Sequence, residues 1–194
     1  MAAAGILLLA AVLWREGDKV TALRELTLAG VADKKHRMLP NVHAWLLQKD
    51  GRDDEAITTY RGLLAREDLP PAQTAVVANN LAFLLARPET AAEAEQLIDR
   101  AILELGPSPD ILDTRGVVLL AAGKTGAAVA ALTEAVLEPS APKYLHLACA
   151  LAADRQIEAA RKAYAQATQL GLEPLSLSAD DRLRLAVLQS AIGK

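Results

Sequence analysis

Aromatic side chains are scarce: one Phe, two Trp and three Tyr, or 3% of 194 residues. Sandwiches and barrels build their cores from aromatic and β-branched residues. An apolar fraction of 52%, made largely of Ala and Leu, therefore excludes them and points to closely packed helices. The single cysteine, Cys149, excludes an internal disulfide, so the fold needs no oxidising compartment. A basic face is missing as well. The 21 Lys and Arg are scattered among 24 acids for a formal net charge of −3, which excludes a nucleic-acid surface. No tract rich in Ser, Gly or Pro marks a linker. The one long apolar run, MAAAGILLLAAVLW, stops at 14 residues, short of the roughly 20 that a membrane span needs. It also lacks the positive flank and cleavage site of a secretory leader. It reads as a buried repeat helix, with a truncated anchor or processed leader as the alternative. No membrane contact and a cytoplasmic location are expected.

What the chain does contain is a period. Taking Ala128 as the anchor, equivalent alanines stand at Ala22, Ala56, Ala94 and Ala160, at intervals of 34, 38, 34 and 32 residues. Four residues after each comes a large side chain: Leu26, Tyr60, Ile98, Leu132 and Tyr164. Three further on come Ala29, Leu63, Ala101, Ala135 and Ala167. A preceding segment repeats in step. Its small residues are Ala10, Ala44, Ala82, Gly116 and Ala148, each followed three residues later by leucine. Spacings of three and four place these residues on one helical face. A small residue where two helices cross lets the backbones approach. Each period is then a helix-turn-helix pair that must stack on its neighbours to bury both stripes.

Punctuation agrees. Glu16-Gly17-Asp18, Asp50-Gly51-Arg52 and Ala122-Gly123-Lys124 turn within pairs. Leu69-Pro70-Pro71, Gly106-Pro107 and Pro139 to Pro142 separate pairs, and Pro40 shortens the first helix of the second. Thr90, with Glu93 three residues on, has the pattern of a capping box. The register lapses after Gly171, and Ser178 starts an eleventh helix. Leu183, Val187 and Ala191 are expected to form its apolar face, with Asp180, Arg184 and Gln189 elsewhere.

The 34-residue period, the paired helices and the L-G-x-x-L…A-x-x-x-L…A arrangement resemble the tetratricopeptide-repeat family over about residues 3 to 172. The family's tryptophan is replaced by Ile6, Pro40, Ala78, Leu112 and Tyr144, and its glycine is kept only as Gly116. The resemblance implies an all-α, right-handed superhelical solenoid of about five helix-turn-helix pairs with a C-terminal capping helix. The repeats would span about 3–35, 38–70, 72–106, 109–139 and 141–172, with 173–194 as the cap. A solenoid of another helical-pair family is the alternative.

Chemistry is sparse. Gly123-Lys124-Thr125 has the tail of a phosphate-binding loop, but the glycine required five residues earlier is Val118. His146 and Cys149 share a helical face, yet two ligands do not make a metal site. They read as a surface imidazole beside a free thiol. No nucleophile and base assemble, so no enzyme, cofactor or metal is expected.

The resemblance also implies a concave groove lined by the first helices, taking a protein or peptide segment. Three residues before each small position stand Leu7, Asn41, Asn79, Asp113 and Leu145. One residue after it stand Ala11, Trp45, Phe83, Val117 and Cys149. The expected ligand contacts are Asn41, Trp45, Asn79, Asn80, Phe83, Arg87, Asp113 and His146. Amides would hold a ligand backbone, rings would supply area, and Arg87 would favour an acidic segment. Trp45 and Phe83 as filling between repeats is the competing reading. Asn79 and Asn80 lack the lysines of the family's chaperone-tail clamp, which disfavours that ligand. The function expected is a non-catalytic scaffold. The alternative is a structural or oligomerisation module, because the apolar first helix invites self-association.

Overall fold

The computed structural model describes residues 3–33, 36 and 38–193, without the side chains of Ala3 and Ser176. Met1 and Ala2 of the apolar opening, Lys34 and Lys35 at the end of the first expected repeat, and Lys194 in the expected cap lie outside them. Eleven α-helices and one 3-10 turn are present, with no strand among the described residues. The chain forms two compact units, residues 1–80 and 81–194.

The first unit holds α1 (Ala3–Arg15), α2 (Lys19–Ala32), α3 (Met38–Lys49), α4 (Asp53–Leu64) and the beginning of α5 (Pro71–Leu84). Within it α1 packs on α2, α2 on α3, and α3 on α4. The second holds the end of α5, then α6 (Ala91–Leu105), α7 (Pro109–Ala121), α8 (Thr125–Ala135), α9 (Ala141–Ala153), α10 (Ile157–Gln169) and α11 (Ala179–Ile192). Here each helix from α6 to α10 packs on the next, α7 also touches α9, and α11 rests on α9 and α10.

The sequence register is the packing register. All five anchor alanines are fully buried, as are Ala10, Ala44, Ala82 and Ala148. Leu26, Tyr60, Ile98 and Leu132 fill the space beside them, and only Tyr164 is partly open. Turns within pairs close through left-handed residues at Gly17, Gly51 and Gly123, where a side chain would be strained. α3 starts at Met38, two residues before Pro40, which costs little because the first turn of a helix has no partner for its N–H groups. Its entry is held by a bond the sequence did not announce: the Leu39 backbone N–H donates to His36 Nδ1 at 3.1 Å.

Two local expectations are corrected. The Thr90 hydroxyl does not cap α6; it turns back and donates to the Leu85 carbonyl at 2.6 Å, satisfying an acceptor just beyond the end of α5 instead. The buried face of α11 is Asp181, Leu185 and Leu188, while Leu183 and Val187 are 66% and 64% exposed. Both leucine stripes fit helical spacing. The one carrying Asp181 faces inward because a buried charged partner waits for it on α9.

Candidate functional site

In the first unit Trp45 is open, and Asn41, Asn79 and Asn80 are half-buried. On α3, Trp45 is 44% exposed and the Lys49 ammonium lies 5.7 Å from its ring centroid. One turn earlier Asn41 is half-buried, and its side-chain carbonyl oxygen is enclosed without a hydrogen-bond partner among the described residues. Asn79, at the same register position of α5, repeats this: its amide nitrogen donates to Asn80 Oδ1 at 3.5 Å, and its own carbonyl oxygen has no partner among the described residues. Asn80 lies beside the buried Tyr60 hydroxyl without a well-formed bond, and burial pushes that phenol well above its ordinary pKa.

In the second unit Val117, Leu145 and Cys149 are buried, and Phe83 and Asp113 are half-buried. Val117 is 1% and Cys149 7% exposed, and the Cys149 thiol donates to the Arg184 carbonyl of α11 at 3.7 Å. Burial pushes the thiol pKa up to about 12, which leaves it protonated and unreactive in place. His146, expected at the surface, is only 2% exposed. α9 carries it between two carboxylates, with Nδ1 at 2.8 Å from Asp113 Oδ1 of α7 and Nε2 at 3.2 Å from Asp181 Oδ1 of α11. Phe83 is half-buried, and its ring lies against the imidazole at a centroid distance of 5.9 Å. Arg87 donates to Asp180 Oδ2 at 3.1 Å, so its charge is engaged inside the unit.

Asp181 and Arg184 complete this cluster and were not among the expected residues. Arg184 donates to Asp181 Oδ1 at 2.7 Å and to the Ala86 carbonyl at 3.1 Å. The spacing of the pair along one helix was readable, but nothing local said that α9 would be its partner. Burial alone would lower the His146 pKa. Asp113 first, then Asp181, overturns that and holds it at about 9. Burial would raise Asp181, and His146, Arg184 and the Ser178 hydroxyl together hold it far below the usual carboxylate range. An imidazolium that donates from both nitrogens has no lone pair for a metal or a proton. The cluster links α11 to α7 and α9.

The other motifs are consumed by structural links. Lys124 pairs with both carboxylate oxygens of Glu95 at 2.9 and 2.6 Å, and the Thr125 hydroxyl donates to Asp154 at 2.6 Å, leaving no phosphate cradle. His43 shares a 3.2 Å contact with the Thr27 hydroxyl. No group of three or more His, Cys, Asp or Glu side chains suited to a metal occurs among the described residues. No described helix is long and apolar enough to cross a membrane.

No family model and no curated protein matches the sequence. Solved structures do. PilW, a widely conserved type IV pilus biogenesis factor, superposes with a TM-score of 0.73 at 23% identity, over 97% of this chain and 84% of its own. TTC0263, a thermophilic tetratricopeptide-repeat protein of Thermus thermophilus, gives 0.72 at 20% identity over 96% and 98%. Against the structure of the APC/C hetero-tetramer Cut9–Hcn1, the values are 0.74 and 17%, over 95% of this chain and 36% of that one. The chain has the tetratricopeptide-repeat fold. In this repeat fold the exposed Trp45 and the enclosed His146 occupy first helices of different pairs. One position is open to solvent and the other is locked under a helix from the same chain.

Proposed function

We propose that the protein is a non-catalytic protein–protein interaction scaffold: a repeat array over residues 1–172, with 173–194 as its capping segment, that takes a partner segment on the surface of α3 carrying Asn41 and Trp45 and on the register-equivalent Asn79 and Asn80. The observation that supports this most directly is Trp45. A half-exposed indole in a chain with so few aromatics gives a partner a large, rigid contact of the kind that dominates interfaces. Asn41, Asn79 and Asn80 are half-buried and supply side-chain amides that can hydrogen-bond the backbone of an extended peptide.

The groove expected across all first helices contracts in this reading to the open positions. Phe83, Arg87, Asp113 and His146 support the α11 interface instead, and the preference for an acidic segment is carried by Lys49 beside Trp45 and no longer by Arg87. The test is affinity purification with the wild-type chain and with Trp45→Ala, followed by binding measurements on each partner found. Partners that lose about tenfold or more in affinity to Trp45→Ala at unchanged melting temperature carry the proposal. Equal capture by both chains overturns it.

A second reading, self-association, rests on α1 and α2. Ala10 is the buried apolar residue of α1, whereas Leu8 is 68% exposed and Val20, Leu28 and Val31 of α2 are also open. A second copy that covered these side chains would remove their apolar surface from water.

A further inference from the structure

α11 is held as a ligand is held. It fully buries only two apolar side chains, Leu185 and Leu188, where α9 buries Leu145, Leu147 and Leu151 with Ala148, Ala150 and Cys149. What fixes α11 instead is polar and directional. Asp181 receives His146 and Arg184, Arg184 reaches on to the Ala86 carbonyl, and Asp180 receives Arg87. The connection before it passes through left-handed Gly171 and a 3-10 turn in which Leu175 is 94% exposed, and it is anchored in the core at Leu177 just before α11 begins. An element with few buried apolar contacts is the first to open in a native fold.

We propose that the surface of α7 and α9 bounded by Phe83, Asp113, His146 and Cys149 is a binding seat for an amphipathic partner helix of stated chemistry: an acid in its first turn, an arginine three residues later, and leucines four and seven residues after the acid. α11, with Asp181, Arg184, Leu185 and Leu188, occupies this seat in the resting chain and yields it to such a helix. Each requirement is read from a contact. The acid meets the N–H of His146, whose other N–H is kept in place by Asp113. The arginine closes on the same acid and on the Ala86 carbonyl beyond the end of α5. The leucines enter the cluster of Leu145, Ala148 and Leu151. A tethered occupant competes at an effective concentration on the order of millimolar, so an incoming helix wins by making the same contacts with better geometry or more apolar area. The seat shares no residue with the Trp45 surface, and failure of either leaves the other standing.

Cys149 supplies the assay, because the only thiol of the chain is buried against α11. In the full-length protein, Asp181→Asn weakens the resident helix and leaves the seat untouched. Its thiol should react with a maleimide at least about tenfold faster than in wild type, at unchanged helical content by circular dichroism. A labelled synthetic peptide of residues 173–194 should bind this variant at least about tenfold more tightly than it binds wild type, and should slow thiol labelling again. The same peptide carrying Asp181→Asn should do neither. Leu188→Ala weakens α11 without touching the charges and gives the same readouts should Asp181→Asn fail to fold. Labelling at the wild-type rate in the folded variants, or a wild-type peptide that neither binds nor protects Cys149, overturns the proposal.

Discussion

At Gly116 a single hydrogen atom decides how closely two helices meet. A Cβ there would overlap the side chain of Leu132, which is itself fully buried in α8. Alanine is the better helix former by about 1 kcal/mol, yet overpacking a fixed crossing costs about 1–3 kcal/mol. Gly116→Ala is therefore expected to lower stability, read as a reduced urea midpoint, and an increase would mean that α7 and α8 can slide apart. Arg155 is the opposite case. It holds φ at 63° in the turn of the fifth pair, where the first, second and fourth pairs use Gly17, Gly51 and Gly123. A left-handed conformation costs a side chain about 1–2 kcal/mol, and the freer unfolded chain of a glycine returns part of that. Arg155→Gly should raise stability by about 0.5–1 kcal/mol and Gly123→Ala should lower it, both in the same denaturation assay.

Among the elements, α11 carries the pH dependence. His146 titrates at about 9 in the folded chain against 6.5 for a free imidazole, because carboxylates surround it. Its contribution is thus complete below about 6.5 and is lost as pH rises through 9. Asp181 is shifted the other way, so its contribution is present above about 4 and fades as pH falls further. The fastening of α11 should be firmest between about 4 and 6.5. We expect the stability difference between wild type and His146→Gln to shrink by up to about 3 kcal/mol from pH 6.5 to 9, measured by urea denaturation across that range. A difference that stays flat would show that the imidazole is neutral throughout. α11 also shows the limit of pattern reading. Its helical span and its Ser178 cap, which accepts from the Asp181 N–H at 3.0 Å, are local and were legible. Its inward face was not, because Leu183 with Val187 and Leu185 with Leu188 are equally good stripes until α9 presents His146.

At the scale of the molecule, large apolar side chains are exposed at several places along the chain, and on the first pair Leu8, Val20, Leu28 and Val31 remain open. Burying them removes apolar area worth roughly 25 cal/mol per Å² from water, so the chain is expected to associate as its concentration rises. Light scattering from low to high micromolar concentration should show the apparent mass increasing, and Leu8→Lys should abolish the increase. A constant monomer mass in wild type would remove the self-association reading and leave the scaffold proposal in place. The repeat itself explains why so much was readable at this scale. Each pair solves the same packing problem with the same offsets, so Ala22, Ala56, Ala94, Ala128 and Ala160 report one another's burial.

The sequence by itself determined the helices, the turns, the pairing and the buried anchor alanines, because these follow from contacts within a few dozen residues. It offered Trp45 both as a ligand contact and as filling between repeats, and the register alone did not choose, since the equivalent Val117 and Cys149 are buried while Trp45 is 44% exposed. Only the tertiary structure decided which expected ligand positions stay open. His146, Asp113 and Phe83 looked equivalent to Asn41, Asn79 and Trp45 along the chain. A helix more than thirty residues further on closes over His146 and turns a surface imidazole into a buried cation. Periodicity describes what each helix repeats. It says nothing about a segment that lies outside the period and chooses its seat by charge.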